Sequence, residues 1–369
     1  MDMPLGYTDI FLHAGLMKTG STSVQTSLAA AADPLRSHGI DFPLFPDAAS
    51  HGGAHGMALR HLIGYRTDAP FGHSENHHNV EAAKHVFQQL QTSSQRKLLV
   101  SDELLPSLPE TYLRRLAEKL RSWAHPEVRF HLLIVVRHPL DWMNSARNEF
   151  LRNGFTEQDM YRPDGIMNPI LKNDWMQETC RKFVRAGLCD HLTISRFEDV
   201  SDNNNLLTTI SRWANIPLVL PGLRENKSLA WEFLTLLESA RTAPGFPDHD
   251  WIQSLGPIRG TKSQPTSAEA TRWQGRLLNG MNRFCDTNKM DRYEERQGAL
   301  DWGREDVWSE ALLSEFSAIL ATSPIETKRF VQRRLRALRQ SPQLAPAVQR
   351  RLKQFGTAQT IRRFKTFRF

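Results

Sequence analysis

Two groups of side chains in this sequence have the types and spacing to grip a phosphate. The first is Lys18-Thr19-Gly20-Ser21-Thr22-Ser23, placed after an apolar, β-prone run at residues 10–12 and a break at Ala14 and Gly15. Residues 24–28 (VQTSL) then suit a helix, so the order is strand, tight loop, helix. A loop of small residues at a helix N-terminus aims backbone N–H groups and the positive end of the helix dipole at one spot, and a lysine adds a full charge. The second group is Arg137 and Ser145. Arg137 directly follows the run HLLIVV at residues 131–136, and Pro139 suits the first turn of a helix that carries Ser145 about two turns in. An arginine fork and a hydroxyl can hold a phosphate monoester.

Proton-transfer candidates are fewer. Strand-like residues 97–100 (KLLV) end in Ser101-Asp102-Glu103. Glu103 is the first choice for a general base, and an N-cap or a salt bridge to the loop lysine is an equal alternative for it. His55 is the second choice. It lies in a loop-rich stretch, residues 33–79, and seven of the 14 histidines fall between His51 and His85. No cysteine or H-E-x-x-H pattern accompanies them, so they do not read as a metal site.

The order of the loop residues separates two chemistries. A nucleoside-triphosphate P-loop is G-x-x-x-x-G-K-[ST], with lysine after the second glycine. Here the lysine comes before it, as Gly15-x-x-Lys18-Thr19-Gly20-Ser21-Thr22. This loop resembles the 5'-phosphosulfate loop of sulfotransferases that use 3'-phosphoadenylyl sulfate (PAPS), in the bacterial and Golgi-type branches. An arginine after a buried strand with a serine eight positions later resembles the family's 3'-phosphate site. The serine and acidic residue after residues 97–100, the strand end Arg196-Phe197-Glu198-Asp199-Val200 and Asn226-Lys227-Ser228-Leu229 extend the likeness over residues 8–240.

The resemblance implies a P-loop-like sulfotransferase fold, with PAPS as donor, 3'-phosphoadenosine 5'-phosphate (PAP) as product and no required metal. Lys18 and the residues Thr19, Gly20, Ser21, Thr22 and Ser23 would hold the 5'-phosphate. Arg137 and Ser145 would hold the 3'-phosphate, and Glu103 or His55 would take the acceptor proton. The acceptor would be a hydroxyl or amine of a carbohydrate, glycolipid or other small molecule, with the loop-rich stretch forming part of its pocket. A metal-dependent P-loop kinase is the runner-up and would need an acidic residue after a strand. A non-catalytic polyanion-binding protein is the third reading.

The elements that must position these groups alternate. Strands are expected at residues 10–12, 97–100, 131–136 and 192–197, with helices at 80–91, 109–124, 139–152, 168–187 and 206–213. That alternation predicts an α/β fold with a central parallel sheet of four to five strands flanked by helices. Further helices are expected at 230–241, 268–288, 304–321, 325–339 and 344–355. The expected division is an α/β domain over residues 1–300 and a helical, basic extension over 301–369.

Charge is distributed unevenly. The net charge of +7 conceals a tail from Lys328 to Phe369 with 13 Lys and Arg and no Asp or Glu, so residues 1–327 carry a balance of −6. Within the tail, Leu344, Val348, Leu352 and Phe355 form an apolar stripe opposite Arg350, Arg351 and Lys353. Interleaved aromatic and basic residues at 361–369 favour an anionic membrane surface over nucleic acid as its partner. No apolar run approaches the length of a membrane span and three scattered cysteines fit free thiols, so the expected location is cytoplasmic, peripheral to the inner face of the membrane.

Overall fold

The computed structural model describes residues 6–16, 18–44, 62–64, 84, 86–152, 174–201, 205–222, 267–294, 313–314, 318, 336, 346–347 and 349–354. The chain forms two compact units, residues 1–138 with 174–226, and residues 139–173 with 227–369. The first unit is built on a five-stranded parallel sheet in the order β2-β3-β1-β4-β5. Its strands are β1 (Tyr7–His13), β2 (Ile40–Asp41), β3 (Lys97–Ser101), β4 (Ala124–Val136) and β5 (His191–Arg196).

Both faces of the central strands are covered, which is why their sequences run apolar without alternation. On one face Phe11, Leu99, Leu133 and Val135 pack against α1 (Ser21–Ala30), α2 (Ala32–Ser37), α6 (Phe197–Val200) and α7 (Asn205–Trp213). Val24, Leu28, Leu35, Leu206, Leu207 and Ile210 complete that core. The residues that alternate with these, Ile10, Leu12, Val100, Leu132 and Ile134, are fully buried on the other face. There α3 (Glu110–Arg121) packs on β4 and on α5 (Trp175–Arg185). Leu113, Leu116, Ala117 and Leu120 bury the apolar stripe of α3 as their spacing requires.

The α/β class and the parallel sheet are as the alternating pattern predicts. The differences lie at ends and edges. β2 was not expected, because two residues carry no period. β4 begins seven residues before the apolar run, since its first half (AHPEVRF) is mostly exposed or half-buried and mixed in composition. β5 stops at Arg196, and Phe197–Val200 turns into a short helix.

In the second unit, α4 (Pro139–Arg152) packs on α8 (Ser267–Thr287), and Trp142 and Met143 of the one helix and Leu278 and Phe284 of the other are buried. In the tail Leu352 is fully buried, while Arg350 and Lys353 face outward. The expected helices at 230–241 and 325–339, apart from Arg336, and most of that at 304–321 lie outside the described residues, as do the tail beyond 354 and most of the loop-rich stretch. Among the described residues no helix is long and apolar enough to cross a membrane.

Candidate active site

In a parallel sheet every strand ends on the same side, and here β1, β3, β4 and β5 each end in residues able to do chemistry. β1 ends at His13 and leads into the loop before α1. Two residues of that loop, Lys18 with φ 67° and Gly20 with φ 82°, adopt the left-handed backbone conformation. Glycine is required at residue 20 for a second reason. A Cβ there would lie 2.7 Å from Leu206 Cδ2 and 3.3 Å from Phe197 Cε2.

Lys18 has no such freedom, and holding a non-glycine residue in this conformation costs about 1–3 kcal/mol. Surrounding bonds hold it there. Thr19, between the two left-handed residues, is fully buried and donates from Oγ1 to the Leu16 carbonyl at 2.5 Å. Arg137, from the end of β4, donates from Nη1 to the Lys18 carbonyl at 2.9 Å. The Arg137 guanidinium also lies 5.0 Å over the ring of Phe197, the first residue after β5. Glu198 completes this corner, its Oε1 accepting from the His138 N–H at 2.7 Å.

Gly20 caps α1, and no side chain caps that helix end. The first-turn N–H groups and the helix dipole are therefore turned toward the space in front of Lys18. Thr22 and Ser23 stand half-buried in that turn. Ser21, the first helical residue, is buried and donates its hydroxyl hydrogen to Glu103 Oε2. Glu103 thus sits beside the loop, two residues past the end of β3. It is set there by Asp102, whose N–H donates to the His13 carbonyl at 3.0 Å and whose Oδ1 accepts from the Leu104 N–H at 2.9 Å. That is an Asx turn with Glu103 at its centre.

His13 is the residue that pattern reading missed. It is fully buried at the end of β1, opposite Ser101 in the sheet register, with Nδ1 and Ser101 Oγ 2.8 Å apart. Its Nε2 has no hydrogen-bond partner among the described residues and would lie 2.9 Å from a Cβ on Gly15. Burial pushes the imidazole down to about 4, so it is neutral near pH 7. Nδ1 thus faces Ser101 and Nε2 faces the turn at Gly15. The signal was a histidine closing a buried strand immediately before the glycine turn.

The structure therefore brings together Lys18, Gly20, Ser21, Thr22, Ser23, Glu103 and Arg137 within the first unit. Thr19 faces inward and serves the shape of the loop. Ser145 is half-buried on α4, in the second unit. His55 lies outside the described residues. Among the described residues no group of three or more His, Cys, Asp or Glu is placed to hold a metal ion.

Fold and loop define an α/β protein that gathers a cationic, glycine-hinged loop and a carboxylate at the carboxyl ends of a parallel sheet, where open α/β sheets take their ligands. No family model and no curated protein matches the chain. Among solved structures it is similar to a sulfotransferase from Alicyclobacillus acidocaldarius, with 12% identity, 61% of this chain and 87% of that chain covered, and a TM-score of 0.33.

Proposed function

We propose that this protein is a PAPS-dependent sulfotransferase acting on a hydroxyl or amine of a carbohydrate, glycolipid or other small acceptor. The observation that carries the reading is the bond from Arg137 to the Lys18 carbonyl, because it joins two motifs 119 residues apart that were each assigned to a phosphate of the same nucleotide. Two features of the loop fit an anionic group, the uncapped start of α1 and the lysine just before it.

In this reading the first-turn N–H groups of α1, with Thr22 and Ser23, hold the 5'-phosphate. Lys18 neutralises charge growing on the oxygen that bridges phosphorus and sulfur. Arg137 serves the 3'-phosphate, with Ser145 assigned to it by spacing alone. The acceptor oxygen or nitrogen forms a bond to sulfur while the bridging S–O bond breaks, PAP leaves, and the acceptor proton passes to Glu103, with His55 as second choice. Such in-line transfer is driven by positioning and charge stabilisation. Incubation with radiolabelled PAPS and a host-cell extract tests it. Label transferred to a small-molecule or polysaccharide fraction supports the reading, and label recovered only as free sulfate counts against it.

One observation favours the runner-up. A hydroxyl at the start of the helix, bonded to a carboxylate at the end of a neighbouring strand, is the pairing with which P-loop kinases hold magnesium, and Ser21 and Glu103 form such a pair. The position of Lys18 before Gly20 speaks for sulfuryl transfer. Activity that persists in EDTA supports that choice, and a complete, magnesium-reversible loss favours the kinase.

A further inference from the structure

We infer that Ser21 is a positioning residue for Glu103, and that the hydroxyl donors to the anion come from Thr22 and Ser23. The inference rests on the sulfuryl-transfer reading above and assigns a separate duty within that site. A serine hydroxyl has one hydrogen to give, and Ser21 gives it to Glu103 Oε2. Ser21 is 2% exposed and begins α1, so its side chain leaves the helix in a fixed direction. The helix is in turn tied to β3 by Gln25, whose Nε2 donates to the Ser101 carbonyl at 3.1 Å.

Glu103 is held from its backbone side as well. The Asx turn at Asp102 and the bond from the Asp102 N–H to the His13 carbonyl fix where its side chain starts. Ser21 then holds one of the two carboxylate oxygens. The Thr22 and Ser23 hydroxyls, one and two residues further along the same turn, are half-buried and make no hydrogen bond among the described residues. Three adjacent hydroxyls thus divide into one that faces the base and two that remain for the ligand. A hydroxyl donor stabilises the charged form of a carboxylate, which gives the pairing a signature in titration.

The test follows the titration of Glu103 by carbon-13 NMR in full-length protein labelled at glutamate carboxyls, with the resonance assigned by its loss in Glu103→Gln. Ser21→Ala should move that titration upward by roughly half a pH unit or more, and Ser21→Thr should return it. Calorimetry with PAP should show Ser21→Ala within about threefold of wild type, and Thr22→Val weaker by about tenfold or more, as expected for a bond to a charged group. Should Ser21→Ala not fold, Ser21→Cys weakens the donor at similar volume and carries both readouts. If the Glu103 titration stays in place while PAP affinity falls as far as in Thr22→Val, Ser21 is a phosphate ligand and the inference is overturned alone. A wild-type protein that does not bind PAP overturns the nucleotide reading and this inference with it.

Discussion

Arg137 Nη1 donates to the carbonyl oxygen of Lys18 at 2.9 Å, so the cation at the end of β4 holds in place the cation in the loop after β1. The bond is made to the lysine's backbone and leaves its ammonium uninvolved. The lysine is thereby kept in a backbone conformation that it would otherwise avoid.

The left-handed turn of the loop makes Gly20 a sensitive position for folding. Gly20→Ala places a Cβ at positive φ and 2.7 Å from Leu206 Cδ2. Stability should fall by roughly 1–3 kcal/mol, read as a lower urea midpoint at unchanged slope. A variant as stable as wild type would mean that the loop does not need the left-handed cap.

Folding stability should also depend on pH through His13. Its folded value is about 4 against 6.5 when exposed, so between these values the unfolded chain binds the extra proton. Stability rises with pH through this window and is lost as pH falls from 6.5 toward 4, at about 1.4 kcal/mol per pH unit once fully developed. Urea unfolding at pH 7 and pH 5 should show the loss in wild type and a smaller one in His13→Gln. Equal losses in the two proteins would remove His13 from the account.

For the chemical step, Glu103→Gln should remove most turnover and leave PAP affinity nearly intact, because the carboxylate acts on the acceptor proton. A fully active Glu103→Gln protein shifts the role of base to His55.

The tail is tested at its exposed charges. Leu352 is buried in the protein, so contact with a membrane at this helix would rest on cations such as Arg350 and Lys353. Reversing both to glutamate should lower sedimentation with anionic liposomes at low salt by about 1 kcal/mol per charge or more. Unchanged or absent binding in wild type and variant alike counts against a lipid surface.

Much of the site could be read from the chain because its chemistry is local. Lys18, Gly20 and Ser21 lie within four residues, and Arg137 is marked by the apolar strand it ends. The pairing of Ser21 with Glu103 was not legible, since it depends on β3 lying beside β1 in the sheet. Phe197 under Arg137 depends likewise on β5 lying beside β4. Thr19 belongs to the loop that resembles a phosphate cradle, and the inward turn of its side chain toward the Leu16 carbonyl, between two left-handed residues, carried no sequence signal. β2 escaped because two residues show no alternation, and its place is fixed by pairing with β3.

The central claim is that one nucleotide bearing a 3'-phosphate spans Lys18 and Arg137. Calorimetry comparing PAP with AMP, on wild type and Arg137→Ala, tests it most directly. The account predicts that PAP binds wild type more tightly than AMP by about 2–3 kcal/mol, that Arg137→Ala abolishes most of this preference, and that Lys18→Ala slows transfer more than it weakens binding. Equal affinity of the wild-type protein for PAP and AMP would contradict it.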